Sequence, residues 1–259
     1  MQIYITLLFI FLACLPAISE GQVPEIALII DDMGNNQQDA MAFNLPANVT
    51  FAILPNKPLS KIFSERALLQ NREVILHMPM ESLEGIKQEE GSLLVGMSAE
   101  NMRAALVVAL KSVPFATGLN NHMGSRLTQL DEPMAVTMTF LLEHGLYFVD
   151  SRTTKFTLAE TMANKTGVLT SKRDVFLDHH ADLPNMLKQF KRLIAIAKKQ
   201  GRAVAIAHPY PQTLQFLKDY LPGIENQGIR LVKLGDIVLE TANIAKSDNL
   251  HRDDVAITQ

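Results

Sequence analysis

The sequence predicts an α/β protein in which about eight strands form one parallel sheet. The chain has 259 residues, and 47% of them are apolar, which is enough for one large domain with a buried core. Short apolar runs recur along the chain, and segments with helical patterning separate them. At this length the alternation allows a doubly wound sheet or a (β/α) barrel.

The strands are predicted from short, mainly apolar runs, because a continuous apolar run is typical of a strand buried on both faces. The first follows this pattern clearly, as Glu-Ile-Ala-Leu-Ile-Ile. In chain order the predicted strands cover residues 25–30, 49–54, 73–76, 115–119, 146–149, 175–177, 203–207 and 229–232.

Helices are predicted between these strands from caps and periodicity. Pro58 can begin a helix that runs toward residue 72, and Ser98 is a good N-cap for residues 99–111. A third helix is expected from Asp131 to Gly145. The clearest helix follows Asp182 and ends near residue 201, because its apolar residues form one stripe at 3.6-residue spacing.

Composition excludes several classes of function. With 24 basic and 27 acidic residues the net charge is -3, so the chain lacks the positive charge of a nucleic-acid-binding protein. The single cysteine, Cys14, excludes an intramolecular disulfide framework and a multi-cysteine metal cluster.

The first 19 residues are interpreted as a signal peptide, with an uncleaved anchor as the alternative. They contain no charged side chain, they are shorter than a typical membrane span, and small residues occur near their end. We therefore expect an exported protein in the periplasm or another extracytoplasmic compartment of a bacterium. Residues 23–240 are expected to form one folded domain, and residues 241–259 a polar tail.

Polar residues follow almost every predicted strand. Because the carboxyl ends of parallel strands meet at one side of the sheet, these side chains are expected to surround a single site. They are Asp31 and Asp32, His77, Asn120 to His122, Asp150 to Arg152, Asp178 to His180, and His208.

This set of side chains favours metal-assisted hydrolysis. One carboxylate and two neutral imidazoles can hold a divalent ion with open positions, and the second carboxylate of the adjacent pair Asp31–Asp32 can act as general base. Candidates for substrate binding are Asn121, Arg126, Asp150 and Arg152, although turn formation, surface ion pairs and a supporting role are alternatives for them.

The motifs resemble those of the polysaccharide deacetylases of the NodB-homology type. The segment Ile-Ile-Asp-Asp-Met-Gly at 29–34 resembles their first motif, in which Asp-Asp-Gly ends a strand. The segments at 76–81, 118–125, 147–152 and 174–179 are more similar to the divergent polysaccharide deacetylases, the YibQ-like branch of exported bacterial proteins. The resemblance covers about residues 23–240 and implies a distorted or incomplete (β/α) barrel of seven to eight parallel strands.

The resemblance also implies roles for individual residues. Asp31 matches the general base, Asp32 the metal-binding aspartate and His77 the first metal histidine. Glu81 occupies the position of the family's second metal histidine, so either Glu81 is the ligand or another histidine replaces it, for which His122 is the candidate. The family's Arg-x-Pro segment is missing near this point.

Two further residues complete the implied machinery. His208 matches the late histidine that acts as general acid, and Asp178 is expected to orient it or to bind substrate.

The resemblance thus implies an exported hydrolase that uses Zn²⁺ or another divalent metal to remove acetyl groups from a glycan. The alternative is a glycan- or partner-binding envelope protein that holds a metal but is catalytically silent. A third interpretation is a hydrolase of another bond, such as a peptide or a phosphoester. Neither nucleic acid nor a membrane is an expected partner, apart from a possible N-terminal anchor.

Overall fold

The computed structural model describes residues 23–83 and 88–241. The predictions made for residues 1–19, for Cys14 and for the tail after residue 241 lie outside this range. The described strands are β1 (Glu25–Met33), β2 (Thr50–Ile53), β3 (Val74–Met80), β4 (Ala116–Met123), β5 (Tyr147–Asp150), β6 (Thr170–Lys172), β7 (Val175–Phe176), β8 (Arg202–Ala207) and β9 (Arg230–Leu231).

Helices connect these strands and cover the outside of the sheet. They are α1 (Ser60–Leu69), α2 (Ala99–Ser112), α3 (Asp131–Glu143), α4 (Ala159–Thr166), α5 (Leu183–Gln200) and α6 (Pro211–Tyr220), and residues 234–241 are also helical. Short 3₁₀ segments occur at Gln37–Asn44, Leu127–Gln129, Leu221–Gly223 and Glu225–Gln227. Among the described residues, no helix is long and apolar enough to cross a membrane.

Two of the predicted helix starts have clear physical causes. The Ser98 side chain accepts a hydrogen bond from the Asn101 backbone N–H and so caps α2, as predicted. Asp182 caps α5 in the same way through Asn185 N–H, and Gly201 ends α5 in a left-handed conformation.

The sheet is an incomplete barrel, as predicted. Its strand order is β6-β5-β4-β3-β2-β1-β8-β7, and every described pair is parallel. Strand β9 adds a short parallel pairing with the first residues of β1. No pairing joins β6 to β7 among the described strands, so the curled sheet stays open between its two ends.

The inside of the curl contains a small apolar core. Successive side chains of a strand point to opposite faces, so one alternating set from each strand faces inward. The inward set contains Ala27 and Ile29 of β1, Ile75 of β3, Tyr147 and Val149 of β5, and Val204 and Ile206 of β8, and the segment with Val232, Leu234, Ile237 and Val238 packs against it. The larger core lies between the sheet and the helices.

The same alternation places polar side chains above the inner core. Continuing the inward set toward the carboxyl ends of the strands leads from Ile29 to Asp31, from Ile75 to His77 and from Ile206 to His208. A layer of titratable groups therefore covers an apolar floor, and this layer is where the site forms.

Candidate metal centre

A break in β1 brings two adjacent carboxylates to the same place. In a regular strand Asp31 and Asp32 would point to opposite faces. The register between β1 and β2 shifts between Ile30 and Met33, and Asp32 has a φ of 58°, in the left-handed region. As a result, Oδ2 of Asp31 lies 3.6 Å and Oδ1 of Asp32 lies 3.1 Å from Nε2 of His77.

The pairing of β3 with β4 brings the two histidines together. His77 is in register with Asn120, and His122 follows two residues later on the same face of β4. Nδ1 of His122 lies 3.1 Å from Nε2 of His77 and 3.0 Å from Oδ1 of Asp32.

These three atoms fit a divalent metal. Ligand atoms held at 2.0–2.2 Å from one ion are about 3.0–3.5 Å apart, which matches the separations between Asp32, His77 and His122. Oδ1 of Asp32 is buried and lacks a well-aligned hydrogen-bond donor among the described residues. Two ring nitrogens and a carboxylate oxygen at this distance need a shared proton or a cation, because their lone pairs otherwise repel each other.

Asn120 holds both sides of this centre. Its Nδ2 donates to Oδ1 of Asp31 at 2.9 Å and to Oγ of Ser151 at 3.2 Å, and its Oδ1 lies 2.8 Å from Nδ1 of His77. A neutral His77 therefore carries its proton on Nδ1 and directs the lone pair of Nε2 toward Asp32.

The neighbouring charged groups of the centre shift one another's pKa. Burial alone would raise the pKa of Asp32, but the close ring nitrogens of His122 and His77 favour the carboxylate and hold that pKa well below its ordinary value. Burial opposes a charged His77, yet the neighbouring carboxylates Asp31 and Asp32 raise its pKa to about 9. Burial raises the pKa of Asp31, although the charge of His77 acts in the opposite direction. The centre is thus built to hold positive charge beside a carboxylate of increased basicity.

His208 and Asp178 form a second pair at the edge of the centre. Nδ1 of His208 lies 3.0 Å from Oδ1 of Asp178, and Oδ2 of Asp178 accepts from the His208 backbone N–H at 2.8 Å and from the Thr213 hydroxyl at 2.9 Å. Nε2 of His208 faces the centre, 3.7 Å from Oδ2 of Asp32. Burial opposes the imidazolium, but the hydrogen bond and charge of Asp178 outweigh it and raise the pKa of His208.

Glu81 and Arg126 lie beside the centre but bind each other. Oε1 of Glu81 accepts from Arg126 at 2.5 Å, and its Oε2 accepts from the Val95 backbone N–H at 2.6 Å. The group of converging ligand atoms contains His122 and does not include Glu81.

The remaining predicted residues shape the strand ends around the cleft. Asn121 accepts from the Ser151 backbone N–H and donates to the Met123 carbonyl, and fully buried Asp150 accepts from the Arg152 backbone N–H at 2.8 Å. Burial raises the pKa of Asp150. The Arg152 guanidinium lies 3.5 Å from Glu160, while its backbone has a φ of 50°.

A cleft opens directly above the centre. Its cavity has a volume of about 370 Å³. Its lining includes Asp31, His77, His122, His208, Arg152, Arg173 and Phe176. A second cavity of about 290 Å³ is lined by Asp32, His122 and Tyr210.

Sequence reasoning missed the roles of three residues. Asn120 has the same strand parity as His122, and this spacing of two could have placed it on the face of the ligands. Tyr210 stacks on His208 with ring centroids 5.4 Å apart, and its position two residues after that histidine was a weak signal. Arg173 lines the cleft, and no sequence signal pointed to this position.

Comparison with known proteins decides the family. Residues 28–238 match the sequence pattern of the family described as "divergent polysaccharide deacetylase". The chain belongs to this family. An uncharacterized protein of Haemophilus influenzae is 36% identical over 214 residues, covering 82% of this chain and 76% of its own. Uncharacterized protein YibQ of Escherichia coli is 34% identical over 233 residues, covering 89% and 72%.

Solved structures share the fold. An uncharacterized protein from Agrobacterium tumefaciens C58 superimposes with a TM-score of 0.81 at 21% identity, covering 85% of this chain and 91% of that one. The peptidoglycan deacetylase PdaC from Bacillus subtilis gives a TM-score of 0.51 at 14% identity, covering 89% and 96%. The curled parallel half-barrel of this chain is therefore NodB-like.

Proposed function

We propose that this protein is an exported hydrolase that depends on a divalent metal, with zinc as the first candidate, and removes acetyl groups from a glycan. One observation carries the proposal. Three ligand atoms of Asp32, His77 and His122 converge within 3.1 Å of one another, next to a buried carboxylate and a histidine with a raised pKa.

The residues around the centre divide the chemistry among them. A divalent ion held by Asp32, His77 and His122 would polarise the acetyl carbonyl and lower the pKa of water. Asp31 accepts the proton of the attacking water, since burial makes its carboxylate more basic and Asn120 fixes its orientation.

His208 completes the reaction as the acid. Hydroxide adds to the acetyl carbon, the bond from that carbon to the sugar nitrogen or oxygen breaks, and Nε2 of His208 delivers a proton to the leaving atom. The products are acetate and a free amine or hydroxyl. Asp178 keeps His208 protonated and turns Nε2 toward the cleft.

The substrate class rests on the family and on the cleft. A cavity of about 370 Å³ has the size of a site for a small ligand. The family description names polysaccharide deacetylases, and the two cavities that border His122 offer space for a glycan next to the metal ligands.

The location is part of the proposal. Residues 1–19 have the apolar character of a signal peptide. Expression of the full chain in a bacterium, followed by fractionation and N-terminal sequencing, tests this. We expect a periplasmic chain that begins near Glu20; an intact chain in the cytoplasmic fraction contradicts export.

Metal content tests the ligand assignment. The wild type, His122→Ala and Glu81→Ala are purified and analysed by mass spectrometry for bound metal. We expect about one equivalent of zinc in the wild type and in Glu81→Ala, and loss of zinc in His122→Ala, because the Glu81 carboxylate is engaged by Arg126. Loss in Glu81→Ala with retention in His122→Ala reverses the assignment.

A second candidate function is a binding protein that holds the metal without turnover. Two departures from the wider family favour it: Glu81 stands at the second histidine position, and the Arg-x-Pro segment is missing. Release of acetate from acetylated oligosaccharides separates the two. Turnover by the wild type that falls about 10²–10⁴-fold in Asp31→Asn with zinc retained supports the hydrolase. A zinc-loaded wild type that releases no acetate from esters or amides supports the binding protein.

A further inference from the structure

The cleft has two chemically different sides. The metal ligands are on β1, β3 and β4, in the middle of the sheet. Arg173 lies on the link between Lys172 at the end of β6 and Val175 at the start of β7, which are the two ends of the sheet. Because the sheet curls, its ends face the middle across the interior, so Arg173 and the metal ligands line the same cavity from different sides.

The guanidinium of Arg173 has no carboxylate partner. Its Nε donates to the Ser151 carbonyl at 2.7 Å, and its Nη2 donates to the Arg152 carbonyl at 3.0 Å. Among residues 23–83 and 88–241, no carboxylate oxygen lies within 4.0 Å of it. Arg126 and Arg152, by contrast, are paired with Glu81 and Glu160.

This arginine is also held in a fixed position. The two carbonyls occupy the side of the guanidinium formed by Nε and Nη2, and the Phe176 ring lies 5.3 Å from its Cζ. Within the described part of the chain, the other side of the fork, formed by Nη1 and the second hydrogen of Nη2, makes no hydrogen bond and is available to a ligand. A planar fork of this kind matches a carboxylate through two parallel hydrogen bonds.

Leaving the charge of Arg173 unpaired is costly. The side chain is partly buried, and burial lowers its pKa. The charges of Asp150 and Asp31 act in the opposite direction, but neither carboxylate forms an ion pair with the guanidinium, whose direct hydrogen bonds go to neutral carbonyls. The cation therefore loses hydration without gaining a direct ion pair. A negatively charged ligand in the cleft would restore that balance.

We propose that Arg173 forms an anion-binding subsite, and that the substrate is an acetylated glycan with a carboxylate on or next to the acetylated sugar. The identification of this ligand as a substrate rests on the proposed deacetylase function. The anion-binding site itself does not depend on that function. A neutral acetylated glycan would use the metal side of the cleft and leave Arg173 unpaired.

Two sugars that differ in one carboxylate test the subsite. N-acetylmuramic acid carries a lactyl ether that ends in a carboxylate, and its lactyl amide has nearly the same size and shape without the charge. The comparison of the acid with this amide therefore isolates the negative charge. Binding of each sugar to the zinc-loaded protein is measured by calorimetry for the wild type, Arg173→Met, Arg173→Lys and Lys172→Met. Lys172→Met is the matched control, because it removes a neighbouring positive charge that is already paired with Glu160.

We expect the wild type and Lys172→Met to bind the acidic sugar at least about 10-fold more tightly than the neutral one, as a charge-assisted pair predicts. Arg173→Met should lose this preference and bind the neutral sugar unchanged, and Arg173→Lys should retain part of it. Equal affinity of the wild type for both sugars, or an equal loss for both in Arg173→Met, overturns the proposal.

Acetate release measured in the same samples keeps the two proposals apart. A charge preference without any acetate release retains the anion subsite and removes the hydrolase. Acetate release at equal kcat/KM from both sugars, without a difference in binding, retains the hydrolase and removes the anion subsite.

Discussion

Replacing Asn120 by aspartate should separate metal binding from turnover. In the wild type the Asn120 carbonyl accepts the His77 proton, and its amide donates to Asp31. Aspartate still accepts from His77, so the ligand stays oriented. Its second oxygen, however, takes the place of a donor 2.9 Å from Oδ1 of Asp31.

The magnitude follows from that distance. Two unit charges 2.9 Å apart repel by about 6 kcal/mol at an effective dielectric constant of 20. The pair of carboxyls would keep one proton between them rather than pay this energy, so Asp31 could no longer act as a base. We expect zinc affinity in Asn120→Asp within about threefold of the wild type, and acetate release reduced about 10²–10⁴-fold.

Asn120→Ala gives the contrasting result. It removes the acceptor of His77, and loss of such a support typically weakens metal binding about 10–100-fold, or about 1.4–2.7 kcal/mol. Ser151→Ala serves as the control, because it removes only the 3.2 Å acceptor and should leave zinc affinity within about twofold.

Competition with a chromogenic chelator measures the zinc affinities, and acetate release measures turnover. The reasoning is refuted if Asn120→Asp loses zinc as strongly as Asn120→Ala does. It is also refuted if Asn120→Asp keeps wild-type turnover.

Three further outcomes are expected. Free zinc at 1,000 times its Kd should stabilise the protein by about 4 kcal/mol, and EDTA should lower the Tm by about 8–16 °C in calorimetry; an unchanged Tm contradicts a bound metal. Asp178→Asn should lower the pKa of His208, so the alkaline limb of the pH–rate profile should move to lower pH, because the acid must stay protonated; an unmoved limb excludes this pairing. Gly118→Ala should cost about 3 kcal/mol in urea unfolding, because its methyl group would overlap the Tyr147 ring, whereas Gly223→Ala, with open space around it, should stay within about 0.5 kcal/mol.

The strands that the sequence predicted most directly are those with long apolar runs. A strand covered on both faces favours apolar residues along most of its length, and β1, β2 and β8 are mainly apolar and almost entirely buried. Strand β6, with the sequence Thr-Ser-Lys, is half-buried at one end of the sheet and has no such signal. Helix α4 has only eight residues and was not predicted, since a short helix gives little periodicity.

The polar residues at the strand ends were predictable because each of them follows an apolar run. An apolar run that changes abruptly to Asp-Asp or His marks the point where a strand leaves the core. Parallel topology then requires these points to lie on one side of the sheet, and the structure places Asp31, His77 and His208 there.

The pattern of residues along the chain is therefore enough to predict which side chains are available at the rim and that they meet at one side of a parallel sheet. Which atoms face each other depends on the packing of the folded chain. The break at Asp32 and the register of His77 with Asn120 set the metal ligands, and the curl of the sheet brought Arg173 to the same cleft. A shift of one residue in register reverses the direction of every side chain on a strand. That register depends on packing between segments far apart in the chain, which no local pattern of residues encodes.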